Sequence, residues 1–133
     1  MALPLGLGCA MFDKKLVLVV EDNAFLALDL SQAIEDMDGL VAGPTNRVAH
    51  ALQLLDNEEV VAAIVDCHLV DQDVLALAGK LAELNVPFIV HVETDVPNAI
   101  ANRHPEVPVL RKPVQPQSVL ECLLTEMGKS AAG

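Results

Sequence analysis

Four charged side chains stand at the ends of apolar runs. Glu21 and Asp22 follow the run at 16–20, Asp66 closes the run at 62–65, and Lys112 follows the run at 107–110. Asp22 lies 44 residues before Asp66 and Lys112 lies 46 after it, each interval the length of two strand-helix units. Carboxylates gathered at one rim repel one another unless a cation neutralises them. Mg²⁺ suits that task, because it prefers hard oxygen ligands and takes only one or two carboxylates, filling the rest of its shell with water and phosphate oxygens. Lys112 adds a positive point charge from another side. An oxygen nucleophile, a divalent cation and a lysine are what phosphoryl transfer requires, since the transferred group carries its charge on the equatorial oxygens. Taken singly, each residue has a plainer reading: Asp22-Asn23 as a helix cap, Asp66 as a solvated strand end, Lys112 as a surface charge. Their joint placement at three strand ends is what points to chemistry.

The positioning elements follow from hydrophobic period. The runs at 16–20, 40–42, 62–65, 88–92 and 107–110 are short and continuous rather than alternating, as in strands covered on both faces. Between them Leu26, Leu30, Ala33, Ile34 and Met37 recur at helical spacing, as do Val48, Leu52 and Leu55, then Val74, Leu77, Ala78 and Leu81. Val119, Cys122, Leu123 and Met127 repeat the pattern less cleanly. Gly39, Gly43-Pro44, Asn85 with Pro87, and His104-Pro105 mark boundaries. Residues 97–103 leave room for about two turns, so the fourth helix is expected to be short or irregular. Five strands alternating with helices predict an α/β, (βα)5 flavodoxin-like three-layer sandwich, because each parallel crossover needs a helix. With strand order 2-1-3-4-5 the first and third strands are neighbours, and Glu21, Asp22 and Asp66 meet at the carboxyl rim where such sheets bind ligands.

Composition narrows the classes of function. The chain has 133 residues, 53% of them apolar, and 8 basic against 19 acidic side chains give a net charge of −11. That suits one packed domain and excludes disorder as the main state. The apolar runs are far shorter than the roughly 20 residues of a bilayer helix, so no membrane contact is expected. The negative charge repels a phosphate backbone, which argues against nucleic acid and for a basic protein surface or a divalent cation as partner. Cys9, Cys67 and Cys122 cannot all pair and form no CxxC, as expected of reduced thiols in a cytoplasmic protein. Residues 1–13 are read as a flexible N-terminal extension, with Met11 an alternative start, 14–127 as the domain and 128–133 as a tail. His50, His68, His91 and His104 lack zinc-site spacing. His91 reads as a core or rim histidine and Cys67 as facing away from Asp66. Asp71 and Asp73 read as capping or dipole charges of the third helix, and Glu58-Glu59 as a solvated turn.

Val19-Val20-Glu21-Asp22-Asn23, Ile64-Val65-Asp66-Cys67-His68-Leu69 and Leu110-Arg111-Lys112-Pro113 resemble the three signatures of the response-regulator receiver domain of two-component signalling, in order and over residues 14–127. The resemblance implies that Asp66 accepts a phosphoryl group from a sensor histidine kinase or histidine phosphotransfer protein. It implies that Asp22 binds Mg²⁺ directly and Glu21 through water, with Asp66 and the backbone carbonyl of His68 completing the protein ligands, and that Lys112 contacts the phosphoryl group. It further implies a cis Lys112-Pro113 bond, a downstream protein target, and a homodimer as one arrangement of the last helices.

Two positions depart from that pattern. Receivers carry Thr or Ser at the end of the fourth strand, where the hydroxyl meets the phosphoryl group; counting from Pro87, Val92 stands there. Thr94 shares its parity but lies about 6.6 Å further on, so it could substitute only through a slide or bulge. The aromatic switch residue, three before the lysine, is replaced by Val109, and the chain has no Tyr or Trp. Acceptor chemistry is therefore expected to be kept while transmission takes another route, through the loops and the fourth helix. The chain is then a signalling module that catalyses only its own phosphorylation and dephosphorylation, not a metabolic enzyme. The alternative is a phosphorylation-independent pseudo-receiver used for docking. A haloacid-dehalogenase-type phosphatase fits less well, because it needs a second Asp where His68 stands. A flavin binder would need a glycine- and hydroxyl-rich phosphate loop after the first strand, where two carboxylates stand instead.

Overall fold

The computed structural model describes residues 12–69, 73–93 and 95–132, without the side chains of 130–132. Val70, Asp71, Gln72 and Thr94 lie outside the described residues, and with them the expectations placed on Asp71 and Thr94. Five strands, β1 (Leu16–Val20), β2 (Leu40–Thr45), β3 (Val60–Asp66), β4 (Phe88–Val92) and β5 (Val109–Arg111), alternate with helices α1 (Ala24–Asp36), α2 (Val48–Asn57), α3 (Val74–Glu83), α4 (Asn98–Arg103) and α5 (Pro116–Ala132). The strands are parallel in the order β2-β1-β3-β4-β5, the (βα)5 sandwich expected from the alternation. No helix among the described residues is long and apolar enough to cross a membrane.

The continuous apolar runs are explained by burial on two sides. Leu18 and Val20 of β1, Ala63 and Val65 of β3, and Val90 and Val92 of β4 pack with residues of α2, α3 and α4. Val17, Val19, Ala62, Ile64 and Ile89 face the other way, against Leu30 and Ile34 of α1 and Val119, Leu120 and Leu123 of α5. Each central strand thus loses nearly all its apolar surface to one helical layer or the other, at roughly 25 cal/mol per Å² of area removed from water. α1 starts where Asn23 accepts the Leu26 N–H at 3.0 Å through its side-chain oxygen, so the capping role read into Asp22-Asn23 falls to Asn23. Asp73 occupies the N-cap of α3 without a side-chain capping bond, which leaves it the dipole contribution alone. α4 has six residues, short as expected.

Several boundaries differ from the sequence reading, each for a physical reason. β2 runs on to Thr45 because it is a half-exposed edge strand that tolerates Gly43, at φ 95°, and Pro44. β5 starts at Val109 rather than 107, since Pro108 has no N–H for the ladder, although its carbonyl accepts from Val90. Phe12, assigned to the extension, is 1% exposed and packs with the α1/α5 layer. α5 continues to Ala132 through the expected tail, carrying Gly128 at a cost of about 1 kcal/mol relative to alanine. The turn after α1 is tightly closed: a Cβ on Gly39 would lie 2.7 Å from Ile34 Cγ2 and 3.0 Å from Phe12 Cβ. Lys112-Pro113 is cis, and so is Gly43-Pro44.

Candidate functional site

Val20 of β1 is paired with Val65 of β3, so the residues that follow them emerge side by side at the carboxyl rim. Asp66 is fully buried and Glu21 is 3% exposed. Each Asp66 oxygen accepts a backbone N–H, Oδ2 from Asp22 at 3.1 Å and Oδ1 from His68 at 3.0 Å. Lys112 arrives from β5, held by its own N–H to the Val92 carbonyl at 2.7 Å. Its Nζ lies 2.8 Å from Glu21 Oε2 and 3.4 Å from Asp66 Oδ2, with only 11% of its side chain exposed. The Asn23 N–H donates to the same Glu21 oxygen at 3.1 Å. Two carboxylates therefore share one ammonium in a site nearly closed to water.

That sharing is unequal. Burial raises the Glu21 carboxyl, but the His91 ring, which approaches to 3.7 Å without closing a hydrogen bond, together with Lys112, Asp66 and the Asn23 N–H outweighs it and holds the group at about 2. Asp66 is pushed the other way, above its ordinary value, by burial and by the neighbouring Glu21 charge, against the His68 and Asp22 N–H donors. Burial lowers the Lys112 ammonium, yet its two carboxylate neighbours more than offset this and raise it. Glu21 is thus the firm anion of the group, and Asp66 the carboxylate whose charge is least welcome.

His91 completes the cluster and was read from the sequence only as a core or rim histidine. It is fully buried, and its Nδ1 lies 3.7 Å from Glu21 Oε1. Neither ring nitrogen, nor Glu21 Oε1, has a hydrogen-bond partner among the described residues. One signal in the sequence pointed to it, a polar residue inside the apolar run 88–92; the register that pairs it with Asp66 is shown by the sheet.

The other predicted residues are distributed around this group. Asp22 and His68 are exposed, so His68 offers the rim its backbone rather than its ring. Val92 is buried in the α2/α3/α4 layer with Leu69 and Ile100, whereas Val109 is 45% exposed on the edge strand. Cys67 faces the layer opposite Asp66, as its parity predicts, and burial and the Asp66 charge push its thiol up to about 11. Glu58 and Glu59 are exposed. Several clefts flank the rim, among them a cleft of about 400 Å³ lined by Glu21, Asp22, Pro44 and Arg47. One of about 580 Å³ is lined by Asp22, Cys67, His68, Leu69, Pro97 and Ile100, and one of about 510 Å³ by Asn23, Phe25, His91, Glu93, Lys112 and Pro113. Among the described residues no three His, Cys, Asp or Glu side chains are gathered as a metal cluster. The donor set at the rim is nonetheless hard oxygen throughout, and a buried Glu21 oxygen is left without a hydrogen bond, which fits an ion that takes one or two carboxylates and keeps its waters.

No family model matches the chain, and no curated protein does so either. Solved structures do. The signal receiver domain of a modulated diguanylate cyclase from Desulfovibrio desulfuricans superposes with a TM-score of 0.79 at 22% identity, over 90% of this chain and 98% of that one. A CheY-like response regulator receiver domain protein from Methanospirillum hungatei gives 0.78 at 20%, over 89% and 97%. A response regulator from Burkholderia pseudomallei, solved with a phosphorylated aspartic acid, calcium ion and citrate, gives 0.72 at 24%, over 89% and 71%. The fold of this chain is that of receiver domains.

Proposed function

We propose that the chain is a response-regulator receiver that accepts a phosphoryl group on Asp66 and acts through protein-protein contacts. The observation that carries this reading is the buried Asp66 carboxylate, oriented by two backbone N–H groups and faced by Lys112 at 3.4 Å. In the transfer, the P–N bond of a phosphohistidine on a sensor kinase or phosphotransfer protein breaks, its electron pair returning to the donor imidazole, while an Asp66 oxygen forms the new P–O bond. Lys112 meets the charge on the phosphoryl oxygens. Asp22, Asp66 and the His68 carbonyl would hold Mg²⁺, with Glu21 reaching it through water. The ion supplies neutralisation of charge on the incoming group.

Incubation with a small phosphodonor and Mg²⁺, followed by intact mass, tests the reading. The native chain should gain one phosphoryl group and Asp66→Ala none. Gain in both would move the acceptor elsewhere. Gain in neither, repeated with a cognate kinase, would establish the second reading, a phosphorylation-independent docking module. What favours that second reading is the absence of a hydroxyl at Val92 and of a ring at the exposed Val109.

A further inference from the structure

Glu21 is paired with an ammonium that, on the reading above, is needed elsewhere. Lys112 lies 2.8 Å from Glu21 and 3.4 Å from Asp66. A phosphoryl group on Asp66 brings about −1.5 to −2 of charge to that side, so the ammonium is drawn from Glu21 toward it. Glu21 would then be a carboxylate with a fully buried side chain that has lost its ammonium; Oε2 keeps the Asn23 N–H, and a water carried by Mg²⁺ would meet one of its oxygens, which leaves the other to find a protein donor. A buried anion in that condition is strongly destabilising unless another donor replaces the one withdrawn. The ring of His91 stands 3.7 Å from the free oxygen, Oε1, with both nitrogens unpartnered among the described residues. A neutral imidazole always carries one N–H, and a hydrogen bond of about 2.9 Å needs a closure of under ~1 Å.

We infer that His91 is a positioning residue, the reserve hydrogen-bond donor that takes up Glu21 when Lys112 turns to a phosphoryl group on Asp66. The exchange moves no proton: one donor replaces another. It also gives β4 a contact with the phosphorylated site that requires no hydroxyl at Val92, since His91 precedes that residue on the strand and is in register with Asp66. This inference rests on Asp66 being the acceptor, and the test separates the two.

The test is two-bond ¹H–¹⁵N NMR of the histidine rings in the full chain, with and without Mg²⁺ and beryllofluoride, alongside the backbone amides of Asp22 and His68. The expected result is that those amides shift and one His91 ring nitrogen moves to a hydrogen-bonded N–H position, and that Glu21→Gln weakens the ring shift. Shifted amides with an unmoved His91 ring would overturn the inference and leave the acceptor reading standing. Amides that do not move would overturn the acceptor reading, and the inference is then judged in Lys112→Met, where the ammonium is removed with no phosphoryl group involved. There the same ring shift supports it and an unmoved ring overturns it. This variant is measured in an osmolyte that favours the compact state, with Glu21→Gln/Lys112→Met, which carries one buried charge fewer, as the control in which the ring shift should be lost.

Discussion

The rim formed by β1 and β3 and the region formed by β4, α4 and β5 are built from opposite materials. At the first, Glu21, Asp66 and Lys112 form a buried ionic group, every member within reach of another. At the second, Val92 is sealed in hydrocarbon beside Ile100, and Val109 is left in solvent on a three-residue strand. One charge lost from the rim leaves its neighbours uncompensated, while one methyl altered at the other region changes only packing. On the proposed reading, accepting a phosphoryl group and passing on that event then depend on separate residues, and among the described residues the buried polar groups lie at the first, the Arg111–Asp95 pair of the second being exposed. His91 is the exception, a polar group that β4 sends into the rim.

Substitutions can break or sharpen that contrast. The largest effect is expected for Lys112→Met, which leaves two buried carboxylates facing each other and should cost about 3–5 kcal/mol in urea unfolding; a loss as small as that of a surface lysine would mean the ionic group is not closed to water. Next comes acid. Glu21, held at about 2 against an ordinary 4.5, contributes stability that is complete above pH 4.5 and disappears as the pH falls toward 2. The contribution is on the order of 3 kcal/mol and should be absent from the acid profile of Glu21→Gln. Asp66 has the opposite sign: raised in the folded state, its ionised form weighs against folding at neutral pH. The difference in stability between Asp66→Asn and the parent should therefore move in the variant's favour as the pH rises from below 3.8 toward 7.

The apolar region should answer more quietly. Val92→Thr buries a hydroxyl among aliphatic side chains and is expected to cost about 1–2 kcal/mol. A neutral result would show that the hydroxyl reaches the rim after all and that the two regions are closer in kind than their packing suggests. Val109→Ala, on an exposed edge position, should stay within about 0.5 kcal/mol of the parent in thermal unfolding.

Much of this was legible in the sequence because burial on two faces writes an unambiguous pattern. The runs that became β1 and β4 could be bounded to the residue, and the strand ends carrying Glu21, Asp66 and Lys112 followed from them. Edges were harder to read: β2 mixes glycine, proline and half-exposed side chains, and β5 is short, so neither period nor apolar run marked their limits. Phe12 was missed because a single aromatic after an uncharged stretch gives no sign of the turn it fills. His91 was visible as an interruption but not as a participant, since its partner is 70 residues away and only the sheet register brings them together.

The closed turn at Gly39 has a consequence for how this sequence can drift. A Cβ there would strike Ile34 and press on Phe12, so the helix, its closing turn and the residue ahead of β1 share one steric agreement. Random libraries screened only for folded protein should return glycine at 39 far more often than chance, and should be much more permissive at 109.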